Sequence, residues 1–215
     1  MLHVLLFYAT PTNVSSDPLQ SVWDTYRDAL FLTDPIVDRE TLRTEKGQRT
    51  EGTCEWIRGN TAYKSWLAGE TPRLWISGGP GKGKTMLSMF LTEELEAYTQ
   101  ETEGTSLLFY FCTHRYEEKS NAAAIFRSLA HQLLTKHPEM APLISSYFKS
   151  EKITNSTLAS AEAIWIVLRT LLQAPEAGMV FCVLDGLDEC DGASCNLIIS
   201  KFNHFFRGRP FRIIE

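Results

Sequence analysis

The run Gly78-Gly79-Pro80-Gly81-Lys82-Gly83-Lys84-Thr85 carries the most specific chemistry in the chain. It fits G-x-x-x-x-G-K-[ST], a loop built to wrap phosphate, without a mismatch. Gly78, Gly81 and Gly83 permit backbone angles that a side chain obstructs, so successive N–H groups can curl around phosphate oxygens. Lys84 supplies a positive charge for the β- and γ-phosphates of a nucleotide. The Thr85 hydroxyl is placed to ligand Mg²⁺, and a helix starting here points its positive end at the anion. All of Gly78, Gly79, Pro80, Gly81, Lys82, Gly83, Lys84 and Thr85 are therefore candidate nucleotide contacts.

A second cluster answers the first. Met179-Val180-Phe181-Cys182-Val183-Leu184 reads as a buried strand, and it runs into Asp185-Gly186-Leu187-Asp188-Glu189. A carboxylate at the C-terminal end of a parallel strand sits at the mouth of the sheet, where open α/β folds bind ligands. There Asp185 would hold the Mg²⁺ shell opposite Thr85. Apolar strands ending in Asp are common, and the phosphate loop upstream is what makes this one specific. Asp188 or Glu189 could orient or deprotonate an attacking water, with Lys84 stabilising charge. The plainer reading of the pair is a solvated acidic turn continued by Asp191 and Gly192.

These side chains need a strand before the loop, a helix after it, and a second strand for Asp185. Leu74-Trp75-Ile76-Ser77 supplies the first, and Met86, Leu87, Met89, Phe90, Leu91 and Leu95 recur at helical spacing through about Tyr98. Elsewhere the pattern predicts a helix from Pro18 to Thr33, N-capped by Asp17 and ended by Pro35. A charged connector then covers Asp38 to Gln48. A helical region follows from Cys54 to Leu67, whose Trp56 and Trp66 read as core. Ser106 to Cys112 is a second buried strand, and Asn121–Lys136 and Ser160–Gln173 are amphipathic helices separated by Pro138 and Pro142. Strands alternating with helices predict an α/β fold with a parallel sheet.

At 215 residues the chain is most simply one domain with appendages, and its 44% hydrophobic and 22% charged content is ordinary. A net charge of −5 argues against an electrostatic nucleic-acid binder, and the local cluster Arg39, Arg43, Lys46 and Arg49 reads as a solvated face. Cys54, Cys112, Cys182, Cys190 and Cys195 show no zinc spacing, which predicts reduced thiols and a cytoplasmic setting. Leu2 to Ala9 is too short to span a membrane and lacks the flanks of a secretory signal, so it reads as the ragged start of a domain. The histidines are scattered and no G-x-S-x-G elbow occurs.

Asp185-Gly186-Leu187-Asp188-Glu189 resembles the Walker B motif of NACHT-domain proteins, which are signal-transducing (STAND) P-loop nucleotide triphosphatases. Gly52-Thr53-Cys54-Glu55-Trp56-Ile57, Tyr63-x-x-Trp66-Leu67 and Phe126-Arg127-Ser128-Leu129-Ala130-His131-Gln132-Leu133-Leu134 resemble the fungal NOD-like receptor branch, linked to innate immunity. The resemblance runs from roughly Leu30 to the C-terminus. It implies a three-layer α/β/α domain over 51–215, with sheet order 5-1-4-3-2, preceded by a helical and linker segment over 1–50. It assigns hydrolysis to the acidic residue three beyond the Mg²⁺ ligand, here Asp188. It implies a switch between ADP-bound monomer and ATP-bound oligomer, with protein partners engaged through effector and repeat domains. It places Gly52 and Thr53 near the base.

By the same resemblance Phe211 to Ile214 is strand 4, inserted between the strands of Lys84's loop and Asp185. A sensor Arg beyond it, strand 5 and a winged-helix lid do not follow, so the reading is a truncated module with one edge of the loop's strand unpaired. Its expected role is an Mg²⁺-dependent ATP/ADP switch, with GTP left open and hydrolysis slow. Two rivals stand beside it. A non-catalytic interaction module would use the loop only to hold the fold, and a P-loop kinase would need Arg207, Arg209 and Arg212 as a lid. No membrane partner is expected.

Overall fold

The computed structural model of the protein describes residues 2–7, 20–115, 117–207 and 211–214, with side chains for 23–115, 118–207 and 214. The strands are β1 (Leu2–Phe7), β2 (Arg73–Gly78), β3 (Thr105–Phe111), β4 (Met179–Asp185) and β5 (Phe211–Ile214). The α-helices are α1 (Gln20–Leu30), α2 (Pro35–Lys46), α3 (Thr61–Leu67), α4 (Lys84–Glu101), α5 (Ala122–Lys136), α6 (Glu151–Ala159), α7 (Ala161–Gln173) and α8 (Gly192–Phe205). The fold is α/β, with helices on both faces of a sheet whose β2, β3, β4 and β5 run in one direction.

Alternation along the strands builds the layers. Leu107, Phe109 and Phe111 of β3 and Phe181 and Val183 of β4 face one core, shared with Trp66 of α3 and Leu87, Leu91 and Leu95 of α4. Leu108 and Tyr110 of β3 and Val180, Cys182 and Leu184 of β4 face the other, against α5, α7 and α8. Side chains alternate between faces with period two, so a continuous apolar run is what a strand covered on both sides requires.

The strand order is β3-β4-β1-β2-β5, which corrects the expected 5-1-4-3-2 arrangement. Phe211–Ile214 does not insert between β2 and β4. It pairs in parallel with the outer edge of β2, Trp75 opposite Ile213. The inner slot is filled by β1, antiparallel to β2 along its whole length and to β4 from Leu5 to Phe7. Backbone N–H and C=O groups between two buried strands must be paired, and β1 satisfies both neighbours at once. β2 is therefore paired on both sides, not left with a bare edge, and the ragged start is a sheet strand.

Other local readings change for identifiable reasons. Pro35 does not merely end a helix; it opens α2, with Asp34 Oδ1 accepting from Ile36 N at 2.8 Å, because proline at a first helical position loses no hydrogen bond. The charged stretch from Asp38 is thus helix rather than connector. Its Arg39 is buried rather than solvated, paired with Glu96 at 2.9 Å and with its guanidinium 4.9 Å from the Phe109 ring centroid. Arg43 reaches Glu93 on α4 from the next turn. Trp66 is core, but Trp56 is 54% exposed, on a short 3-10 turn (Glu55–Gly59) whose Ile57 takes the buried position. Pro142 sits inside a run of 3-10 turns over Pro138–Tyr147. The predicted cap Asp17 and its neighbour Pro18 lie outside the described residues.

The β3 and β4 entrances meet at glycines. Gly178 has φ +62, and a Cβ there would lie 2.1 Å from the Gly104 carbonyl oxygen, which accepts from Met179 N at 2.8 Å. Gly178→Ala is expected to cost about 2 kcal/mol or more, from left-handed strain and the clash together. Thermal or urea melting should show it, and wild-type stability would mean that this strand entry is not as close as described.

Candidate functional site

Chain direction puts the chemistry on one rim. β2 ends at Gly78 and enters the loop, β4 ends at Asp185, and β3 delivers Cys112, Thr113, His114 and Arg115 beside them. Gly81 and Gly83 have φ of +72 and +78, angles that L side chains rarely adopt. α4 then starts at Lys84 with Gly83 at its N-cap and no capping side chain. The helices α2, α3, α5, α6, α7 and α8 are each capped by an Asp, Asn or Ser oxygen. The amides at the start of α4 instead face the loop, with the dipole of a long helix behind them.

Lys84 is only 6% exposed, and its ammonium lies within the loop's own curve, donating to the carbonyls of Gly78 at 2.6 Å and Gly79 at 2.5 Å. Across the rim Asp185 is 3% exposed. It accepts from the Thr85 hydroxyl and, at 3.1 Å, from Ser88 Oγ. Burial pushes the Asp185 carboxyl up to about 6; the bonds from Thr85 and Ser88 oppose that, and the Glu189 and Asp188 charges add to it. Thr85 and Asp185 are hard oxygen donors already in contact, which suits Mg²⁺, an ion that keeps most of its waters and takes one or two protein ligands beside phosphate. Among the described residues no cluster of three or more His, Cys, Asp or Glu could hold a metal by itself.

A cleft of about 900 Å³ opens over the loop, touching Gly78, Gly79, Gly81, Lys82, Gly83 and Lys84, and extends to Thr53, Cys54 and Trp56. Pro80 lies outside it, and Gly52 does not line it either. A smaller recess of about 60 Å³ adjoins, bounded by Thr85, Asp185, Glu189, His114 and Arg115. Glu189 Oε2 accepts from His114 N at 3.2 Å and lies 2.9 Å from His114 Nδ1. Asp188 is exposed and lines neither space. The structure thus gathers Thr85, Asp185 and Glu189 and leaves Asp188 outside. Behind them, the Cys112 and Cys190 thiols hydrogen-bond to each other, and all five cysteines are free.

Sequence reasoning did not single out His114 or Arg115. Their signal was position alone: they follow an apolar strand at the same sheet rim as Asp185. Arg115 pairs with Glu45 of α2 at 2.5 Å. Ser88, one turn after Lys84, was likewise passed over as a helix residue.

The family model described as Nephrocystin 3, N-terminal, matches residues 52–214. The chain is also 32% identical over 166 residues to the vegetative incompatibility protein HET-E-1 of Podospora anserina, across 75% of this chain and 12% of that protein. The chain therefore spans only about an eighth of that relative's length. No solved structure matches. Both matches agree with the fungal NACHT-type resemblance read from the motifs. No helix among the described residues is long and apolar enough to cross a membrane.

Asp185 gives a pH test with a definite sign. Its folded pKa lies above the unfolded value of 3.8, so the folded state holds the proton more tightly and stability falls as pH rises from about 4 to 6. Asp185→Asn removes this titration. Its stability relative to wild type should grow by up to about 3 kcal/mol between pH 4 and pH 7 without Mg²⁺. Urea melts at both pH values read it, and a pH-independent difference would contradict the burial described.

Proposed function

Because this chain belongs to the Nephrocystin 3, N-terminal family over most of its length, we propose that it is the nucleotide-binding part of a signalling switch. The observation that carries the reading is the Thr85–Asp185–Ser88 contact beside a helix start with no side-chain cap. It joins phosphate chemistry and cation chemistry at one rim. In this reading the loop amides and Lys84 bind the phosphates of ATP or ADP, with GTP as the untested competitor. Thr85 and Asp185 would hold Mg²⁺, which when bound would supply neutralisation of phosphate charge. Lys84 exchanges its two loop carbonyls for phosphate oxygens. Glu189, fixed by His114, orients a water toward the γ-phosphate side through the recess it shares with Thr85 and Asp185.

Phosphoryl transfer is mostly positioning and charge stabilisation, so Lys84, Thr85, a bound Mg²⁺ and one carboxylate suffice for slow hydrolysis. The relative's printed name concerns vegetative incompatibility. That name assigns no ligand or partner to the present chain; the switch role, a cytoplasmic setting, protein partners and ATP-dependent self-association are proposed from the NACHT resemblance of its motifs. A binding-only reading has one observation in its favour: Asp188, the residue that the family resemblance assigns to hydrolysis, stands outside the site.

Melting with Mg·ATP or Mg·ADP at about a hundredfold excess over Kd should raise stability by about 2.7 kcal/mol, and Lys84→Ala should lose the gain. An unshifted wild-type melt would sink the nucleotide reading. Phosphate release then separates the carboxylates. Glu189→Gln should slow it by about 100-fold and Asp188→Asn by about twofold at most; the reverse pattern would restore Asp188 to the catalytic role.

A further inference from the structure

The 900 Å³ cleft takes in more than the glycine loop: Gln48, Thr50, Thr53, Cys54 and Trp56 line it as well. We propose that the Trp56 indole is the platform on which the base of a bound nucleotide stacks, with the Gln48 amide at the base edge. This rests on the nucleotide reading above and names the part of that site which selects an aromatic base over bare polyphosphate.

Three observations carry it. The first is how rigidly the ring is presented. Trp56 lies on the 3-10 turn Glu55–Gly59, pinned from below by Ile57, which is fully buried, and from the side by the paired bonds of Arg58 to Glu94 at 2.8 Å each. With its neighbour committed to the core, the indole faces out. The second is strain. Cys54, two residues earlier, has φ +69, the one non-glycine residue with positive φ among those described. Such a conformation persists where the surroundings enforce it, and it tends to mark ligand clamps. Here Arg49 donates to the carbonyl of Thr53 beside it.

The third is placement. Isolated exposed apolar side chains are ordinary. Phe31, Ile36, Val37, Leu143 and Ile153 are exposed as well, and none of them borders this cleft. Trp56 alone of that exposed set shares a cavity with the phosphate loop. The lining also includes Met86, Leu87 and Ile214, apolar side chains suited to a ribose and ring rather than to more phosphate. Gln48 offers both a donor and an acceptor, which a base edge can satisfy and a phosphate cannot. A purine overlaps more of an indole face than a pyrimidine does, so the class favoured is a purine nucleoside di- or triphosphate.

The test compares Mg·ATP with magnesium tripolyphosphate, which carries the same anion and no base. Binding of each is measured by calorimetry on the full chain, as wild type, Trp56→Ala and Trp56→Phe. Trp56→Ala should weaken ATP by about 5- to 100-fold, the span of base–aromatic stacking, and leave tripolyphosphate within about twofold. Trp56→Phe should recover most of the loss, and preference for ATP over UTP should shrink in Trp56→Ala. Unchanged ATP affinity in Trp56→Ala overturns the platform while leaving the phosphate site intact. An equal loss for both ligands makes Trp56 a structural prop and overturns it too. If wild type binds neither ligand, the nucleotide reading itself fails.

Discussion

The contact on which the site depends is the buried Asp185 carboxylate held by Thr85 and Ser88. It ties the end of β4 to the first turn of α4 at the point where β2 delivers the glycine loop. The contact needs β2 and β4 to run in the same direction and α4 to lie across them. Leu87, Leu91 and Leu95 secure that position by packing under Phe181 and Val183. Neither buried charge of the rim is in an ion pair: Asp185 is met by hydroxyls and Lys84 by carbonyls. Dipoles that small hold a buried charge only at a cost.

Around that contact the molecule is held by less regular means. β1 fills the gap between β2 and β4 from the opposite direction, so the strand carrying the loop is bonded on both edges. Pairing on both edges fixes the point at which the glycine loop leaves the sheet. On the outer face α2 is fastened to α4 by Arg39, which spans Thr92, Glu96 and the Phe109 ring while its Nε stays without a partner. The same helix supplies Glu45 to Arg115 at the recess. The charged segment before the site is thus part of its wall.

Much of this was legible in the residues. The loop, its flanking strand and helix, and the strand ending in Asp185 follow from glycine angles, apolar runs and period. The amphipathic helices α5 and α7 follow from apolar period, and the structure adds Asn121 and Ser160 as their caps. The glycine at 178 left no local signal, because its constraint is the Gly104 backbone across the way. Helix α2 is not visible in the apolar pattern because its buried residue is an arginine, Arg39, which periodicity of apolar residues cannot count.

What the sequence determined alone was a set of local features: a glycine-rich loop opening a helix, a carboxylate at a strand end, and the faces each element must bury. These are short-range, set by spacing along the chain. Strand order was not among them, because β1 and Phe211–Ile214 carry no side-chain code for which edge of β2 to take, and only the pairing of whole strands decides it. Nor did the sequence separate the surroundings of Asp188 from those of Glu189. They are adjacent in sequence, and the 3-10 turn after β4 rotates one toward Thr85 and His114 and the other into solvent. Neighbours along a chain share a composition, but only the packed turn gives them different directions.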